Sequence, residues 1–435
     1  MAHATASGPT YSPVVTVRRG GGPDDQMATS SVLWQNDRKT VILLDLVRSI
    51  EEAQIPSSEL AANNGRPPVT LRRLVSALPP ASPFPTPEPK RGSSEPPTTS
   101  PSAQIADLMT QAAVESALEE IRASHEGPWC LPRVTSPKQK PTEEAAQAPA
   151  AGPTTTDSPS LSPPQPRPPP SSTDGDTPPA PFDHRLYHLP PNSHPLLGTI
   201  PIPTSTTSTP GGSRPIPSAA AAAAADLPSD LRFDLILLDP PWPNRSAKRK
   251  RKRAGAGAYR PAPDLSSVRA LLRQVPVASR LSPGGLVAVW VTNAARSADL
   301  LLGTGGGGDR GLFSEWGVEP VGEWTWLKIT AGGEPVVPVG SAWRKPWERL
   351  LIARKRTAAG EGGSRTGPVE GKVIAAVPDV HSRKPNLRGL FEELLPERYE
   401  ALEVFARNLT AGWWAWGDEV LLFQRRECWV EGEWG

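Results

Sequence analysis

The chain has 435 residues, with 47 Lys and Arg against 45 Asp and Glu, 55 prolines, 37 glycines and two cysteines. That length allows two or three domains, but so much proline and glycine means that a large share of it does not pack, and a net charge of +2 says less than the local charge runs. Cys130 and Cys428 stand alone, without a Cys-x-x-Cys or a Cys/His cluster, which excludes a disulfide framework and a structural zinc site and implies a reducing compartment. No basic segment leads into an apolar core at the amino terminus, and no apolar run approaches the ~18 residues of a membrane helix. The expected location is the nucleus or the cytosol, away from any membrane.

Residues 1–26 are small, polar and punctuated by glycine, and read as disordered. Residues 27–130 form a small region of uncertain fold. Within it Val41 to Leu44 is a strand, Leu46 to Glu52 continues an apolar face with helical character, and Leu71 to Leu78 offers a short helical patch. Ala103 to Ala123 is an amphipathic helix with Ile105, Leu108, Met109, Ala112, Val114, Leu118 and Ile121 on its apolar face. That face either docks onto the carboxyl-terminal half or binds another protein. Residues 131–182 are rich in Pro, Ser, Thr and Ala and read as a linker. From 183 to 435 the chain reads as one packed domain, with a low-complexity insertion at about 203–226. Twelve of the 14 tryptophans fall at or after Trp242, which places the core there.

Seven strands are expected in this domain: Phe233 to Leu238, Leu286 to Val291, Glu323 to Ile329, Glu348 to Arg354, Lys372 to Val377, Ala401 to Phe405 and Glu419 to Phe423. Helices are expected at Asp264 to Arg280, Ala294 to Leu302 and Pro385 to Leu395. Interleaved strands and helices imply an α/β fold with a largely parallel sheet covered on both faces. No strand is followed by Gly-x-Gly-x-x-Gly, and no Gly-x-x-x-x-Gly-Lys-Ser/Thr occurs, so a dinucleotide fingerprint and a P-loop are both unsupported.

The stretch Leu235 to Trp242 carries the chemistry. Four apolar residues suit a strand buried on both faces, and Pro240 and Pro241 then end it, which leaves Asp239 on a stiff turn at the strand's carboxyl end. Ligands of open α/β sheets bind at such ends. A carboxylate and two proline carbonyls are acceptors, and the Trp242 ring offers a flat stacking surface. The set suits a planar group with an exocyclic amine, whose hydrogens Asp239 and a proline carbonyl would accept.

Asp239-Pro240-Pro241-Trp242 matches the catalytic motif of the MT-A70-like family of adenine-N6 methyltransferases, which this chain resembles over roughly residues 228–426. Several further motifs occur in order and point to the methyltransferase-like-4 branch. They are Pro243 to Ser246 with Lys248-Arg249, Gly284 to Asn293, His381-Ser382 with Lys384-Pro385, and Phe405 to Leu409 leading to Gly412-Trp413 and Trp416-Gly417. The resemblance implies a Rossmann-like seven-strand sheet in permuted, β-class order, with the catalytic turn ahead of the main cofactor-binding strand. It also implies S-adenosyl-L-methionine as cofactor and no metal. Lys384 would then take the methionine carboxylate, Asp239 the ammonium, Arg407 and Asn408 the ribose, and Asp418 and Glu419 the ribose and adenine. Asp418 stands where relatives often carry Asn, and Arg383 replaces a histidine of the family stretch.

Arg245 to Arg253 holds seven Lys or Arg directly after the catalytic turn. Arg245, Lys248, Arg249, Lys250 and Arg251 are therefore candidate substrate contacts that neutralise phosphates, with Asn244 and Tyr259 as further candidate contacts and a nuclear transport signal as the competing reading of the run. Arg344, Lys345 and Trp347 form a second basic and aromatic group suited to the same channel, and His381 is a further candidate. The resulting expectation is methylation of adenine N6 in nucleic acid, RNA such as small nuclear RNA before DNA. The alternatives are a scaffold or nucleic-acid-binding subunit that kept the fold and lost catalysis, and methylation of an amine in a protein.

Overall fold

The structure, a computed structural model, describes residues 30–62, 70–85, 101–135, 186–201, 227–243, 262–303, 310–341, 344–356 and 367–433. The expected disordered start, nearly all of the linker, the insertion and the basic run lie outside the described residues. In chain order the strands are β1 (Val32–Gln35), β2 (Val41–Leu44), β3 (Thr70–Ser76), β4 (Val134–Thr135), β5 (His194–Leu197), β6 (Phe233–Leu238) and β7 (Leu281–Val291). They continue with β8 (Val318–Lys328), β9 (Trp347–Lys355), β10 (Lys372–Ala376), β11 (Ala401–Val404), β12 (Trp414–Gly417) and β13 (Trp429–Glu433).

Ten strands form one sheet in the order β1-β2-β10-β8-β9-β7-β6-β11-β12-β5, where seven were expected. All run the same way except β1 and β9, which are antiparallel to their neighbours. Part of the surplus comes from the amino-terminal region: β2 pairs with β10, so β1 and β2 extend the main sheet and do not form a unit apart. The opposite edge is β5, from the segment just before the insertion.

Three expected elements are corrected. Glu419 to Phe423 is a succession of turns, and Trp414–Gly417 is the strand there instead; Val420 and Leu421 are buried against Tyr187 and Leu189 rather than in the sheet. Short apolar runs do not reveal by periodicity which kind of burial they serve. Leu71 to Leu78 is not helical, because Thr70–Ser76 pairs antiparallel with the distant β13. The long helix Asp264 to Arg280 is interrupted before Pro276, leaving Leu265–Leu272 and Val277–Arg280.

β6 is buried on both faces as its unbroken apolar run requires. Phe233, Ile236 and Leu238 pack with Val268, Leu271 and Leu301 of the helices Leu265–Leu272 and Ala295–Leu302. Leu235 and Leu237 face the other way, toward Val47 and Ile50 of the helix Leu46–Glu52 and Leu390 and Phe391 of the helix Arg388–Glu392. The helix Pro101–Ser124 lies over β2, β8 and β10, burying Val114, Leu118 and Ile121. At the base of β7 a Cβ on Gly285 would come within 3.0 Å of the Ser282 carbonyl and 3.1 Å of the Phe233 carbonyl, tighter than a side chain ordinarily packs, so any larger residue would have to push β7 and β6 slightly apart.

β6 and β11 are sheet neighbours although far apart in the chain. From β6 the chain goes on to β7 on one side, and from β11 to β12 on the other. The crevice beyond their carboxyl ends is thus a switch point, where an open α/β sheet has room for a ligand.

Candidate active site

Asp239 leaves β6 at this switch point, and its backbone N–H donates to the Val404 carbonyl of β11 at 3.3 Å. The turn is closed by Trp242 N–H donating to the Pro240 carbonyl and Ala262 N–H donating to the Pro241 carbonyl, both at 2.8 Å. Each carbonyl keeps a second lone pair. Trp242 is 6% exposed and its indole N–H donates to the Trp290 carbonyl at 2.7 Å. It braces the turn against β7; the broad stacking face expected of it is spent on packing.

Lys384 reaches the turn from the loop after β10. Its Nζ lies 3.1 Å from both Asp239 carboxylate oxygens and 3.1 Å from Glu348 Oε2, and Lys328 closes the chain by pairing with Glu348 Oε1. Burial pushes the Glu348 carboxyl up, but the two ammonium groups outweigh it and hold it down to about 2. Burial likewise disfavours the Lys384 charge, and Asp239 and Glu348 together raise its pKa above the ordinary lysine range. Two lysines and two carboxylates thus form one linked chain of ion pairs beside the turn that carries Asp239. Glu348, at the start of β9, was not among the sequence candidates; an antiparallel strand delivers its amino-terminal end to the edge where the parallel strands deliver their carboxyl ends.

On the other side of Asp239 lie the residues after β11 and β12. Arg407 donates from Nε to Glu419 Oε2 at 2.8 Å and from Nη1 to the Ser382 carbonyl at 3.4 Å. Asn408 lines the same crevice with a buried Oδ1 that accepts no hydrogen bond among the described residues. Glu403, another residue the sequence reading passed over, faces this crevice from β11; burial and the neighbouring Asp239 charge push its carboxyl up to about 8, against the pull of Arg407 and Lys384. Burial and Glu419 push Asp418 upward as well. Two non-glycine residues here hold left-handed backbone, Ser382 at φ 72° and Phe405 at φ 63°. For a bulky residue such as Phe405 that is a strained state, which persists only where surrounding structure over-determines it.

The remaining candidates divide. Lys345 lines the cleft, its Nζ 2.8 Å from Asp107 Oδ2 and 5.2 Å from the Trp347 ring centre. Trp347 is in the core, so it forms a wall and offers no stacking face. Arg344 is exposed and its N–H donates to Ser341 Oγ at 3.3 Å. His381 lines the cleft, with Nδ1 2.7 Å from Ser382 Oγ. Arg383 is buried, pairs with Asp379 and donates to the Val75 carbonyl of β3 at 3.1 Å, so it clamps the small sheet rather than meeting a substrate. Asn244, Arg245, Lys248, Arg249, Lys250, Arg251 and Tyr259 lie outside the described residues. Asp239, Trp242, Trp290, Lys328, Lys345, Glu348, Lys384 and Arg407 enclose one cleft of about 640 Å³, enough for a nucleotide-sized ligand. Among the described residues no group of three or more His, Cys, Asp or Glu could hold a metal ion, and no helix is long and apolar enough to cross a membrane.

Residues 233–419 match the family model described as MT-A70. Over 413 residues the chain is 43% identical to "N6-methyladenosine RNA methyltransferase MTA1" of Cryphonectria parasitica, covering 95% of this chain and 98% of that one. Over 417 residues it is 44% identical to the protein of the same name from Pyricularia oryzae, covering 93% and 98%. Human "N(6)-adenine-specific methyltransferase METTL4" is 35% identical over 209 residues, covering 47% of this chain and 40% of the human one.

Proposed function

The chain belongs to the MT-A70 family and is an adenine-N6 methyltransferase, and on that footing we propose that its methyl donor is S-adenosyl-L-methionine and its substrate is RNA. The observation that carries this reading is the convergence of Asp239, Lys384, Arg407 and Asn408 on the crevice between β6 and β11. The residues fit the donor. It carries a carboxylate, an ammonium, a sulfonium, a ribose and an adenine. Lys384 suits the carboxylate, Asp239 is the anionic group for the positive end with the protonated Glu403 beside it as a neutral hydrogen-bonding neighbour, and the unsatisfied Asn408 Oδ1 is an acceptor awaiting a donor such as a ribose hydroxyl. The Arg407–Glu419 pair flanks the same place. Bound there, S-adenosylmethionine supplies a methyl group on a positively charged sulfur, open to in-line attack by a neutral nitrogen.

The work left to the protein is to make that nitrogen nucleophilic and aim it. An adenine amine delocalises its lone pair into the ring. The Asp239 carboxylate, accepting one N–H, and the free lone pair of the Pro240 carbonyl, accepting the other, return density to nitrogen and fix its direction. Lys384 holds the Asp239 oxygens in place through its bonds at 3.1 Å. The methylated amine is acidic and sheds its proton without a dedicated base. RNA as the substrate is supported by the activity named for the two relatives that match nearly the whole chain. On the same reading the protein works in the nucleus, and the basic run Arg245 to Arg253 supports both phosphate capture and import.

The test is to incubate purified protein and S-adenosylmethionine with adenine-bearing RNA and DNA oligonucleotides and quantify methylated nucleosides by mass spectrometry. N6-methyladenosine in RNA is the expected product, and Asp239→Ala should lower turnover by about 10² to 10³. Product in DNA alone overturns the substrate assignment, and wild-type turnover by the variant overturns the role of Asp239.

A further inference from the structure

A base held for methylation needs an aromatic or apolar face to lie against, since stacking is what replaces the neighbours it loses. The cleft's tryptophans supply little. Trp242 is 6% exposed, Trp290 and Trp326 each 3%, and Trp347 1%, all committed to the packing of the sheet. Among the described residues that line this cleft two rings present open surface, the polar His381 imidazole, tied to Ser382 Oγ, and one apolar ring that comes from the amino-terminal half of the chain. Phe84 is 47% exposed.

Phe84 is held in position. Its backbone N–H donates to the Val336 carbonyl at 2.7 Å, and Ala331 N–H donates to the Pro80 carbonyl at 2.9 Å, pinning the segment 79–85 along the loop that follows β8. That loop is itself clamped from the other side, by Arg122 Nη2 donating to the Gly333 carbonyl at 3.1 Å and by the Trp129 ring lying against Gly333. Phe84 also lies outside residues 233–419, the span that matches the family model. A half-exposed phenyl ring costs solvation free energy unless something covers it, and here its carrier segment is fixed before any ligand arrives. Lys328 and Lys345 line the same cleft, paired with Glu348 and Asp107.

We propose that Phe84 is the stacking platform for a nucleobase of the single-stranded RNA substrate, so that the amino-terminal half builds one wall of the substrate site. This assignment rests on the reading of the chain as an RNA adenine methyltransferase. Stacking needs an aromatic face, which separates it from plain apolar packing: leucine replaces the bulk of phenylalanine without the ring, and tyrosine keeps the ring.

The experiment uses the full chain with Phe84→Leu and Phe84→Tyr. Phe84→Leu should raise KM for an RNA oligonucleotide about tenfold, within the range expected for loss of one stacked base, while kcat falls less. Phe84→Tyr should restore KM, and S-adenosylhomocysteine binding by calorimetry should be the same in all three proteins. An oligonucleotide carrying 2-aminopurine at or beside the target position should be quenched on binding the wild type and less so on binding Phe84→Leu. Equal KM and equal quenching in the wild type and Phe84→Leu overturn the proposal. So does a Phe84→Leu defect that Phe84→Tyr fails to restore. A wild type that binds S-adenosylhomocysteine but neither binds nor methylates RNA removes the substrate reading, and this assignment with it.

Discussion

Glu403 shows how one buried group can report on the whole site. Its carboxyl, pushed up to about 8 by burial and by Asp239, keeps its proton in the folded protein at neutral pH, whereas in the unfolded chain it ionises near 4.5. A raised carboxyl pKa means that the native state binds the extra proton between these values. The stability from that proton is fully present below about pH 4.5, declines as pH rises, and is lost above about 8. Glu403→Gln removes the titration. The melting temperature of the variant minus that of the wild type should therefore climb between pH 5 and pH 8 and level off above. A difference that stays flat across that range would show that Glu403 is ionised in the native state. Glu348 has the opposite sign: held down to about 2 by Lys384 and Lys328, it contributes stability that disappears only as pH falls through 4.5 toward 2.

At the scale of the element, the amino-terminal half is tied to the sheet by single residues that serve two structures at once. Asp45 ends β2 and caps the helix Leu46–Glu52: Oδ1 accepts the Arg48 N–H at 2.7 Å, while Oδ2 accepts the Leu131 N–H at 2.7 Å from beyond the long helix. Asp45→Ala would lose the cap and leave a buried N–H without its acceptor, and should cost about 1–3 kcal/mol. Urea unfolding at unchanged m-value measures it. A cost under about 0.5 kcal/mol would mean that water or another acceptor takes over both N–H groups. The helix Pro101–Ser124 divides its apolar residues along its length: Val114, Leu118 and Ile121 are buried on the sheet, while Ile105, Leu108 and Met109 are exposed. Asp107, in that exposed half, holds Lys345 at the cleft.

For the molecule as a whole, the proposed function gives the crevice the aiming of the chemistry and gives the basic run Arg245 to Arg253 the capture of the substrate. Capture through phosphates depends steeply on salt, because each neutralised phosphate releases counterions. Replacing Lys248, Arg249, Lys250 and Arg251 together by Ala should flatten the plot of log RNA affinity against log salt, by roughly 0.7 in slope for each phosphate that is no longer neutralised. Cofactor binding should stay as it was. Titrations at several salt concentrations, with imaging of the same variant in cells, separate two roles. An unaltered slope together with lost nuclear accumulation would make the run a transport signal and remove it from the substrate path.

The sequence by itself determined the chemistry-bearing turn and the class of sheet that carries it. A four-residue apolar run stopped by two prolines admits few structures other than a buried strand ending at Asp239, and β6, β7 and β10 lie where their apolar runs placed them. The resemblance singled out Lys384, Arg407 and Asn408, and the fold brings them to one crevice with Asp239: Arg407 and Asn408 from just past β11 and Lys384 from the loop after β10. What it left undecided depends on partners remote in the chain. Trp414–Gly417 and Thr70–Ser76 are strands only because β11 and β13 lie beside them. Glu348 and Glu403 matter only because folding brings them to Asp239 and Lys384, and an alternating strand does not announce which of its polar residues will face a crevice. The exposure of Phe84 beside four buried tryptophans is a property of packing alone. Local steric rules settle turns and strand ends, whereas burial and electrostatic coupling are sums over neighbours that only the tertiary structure assembles.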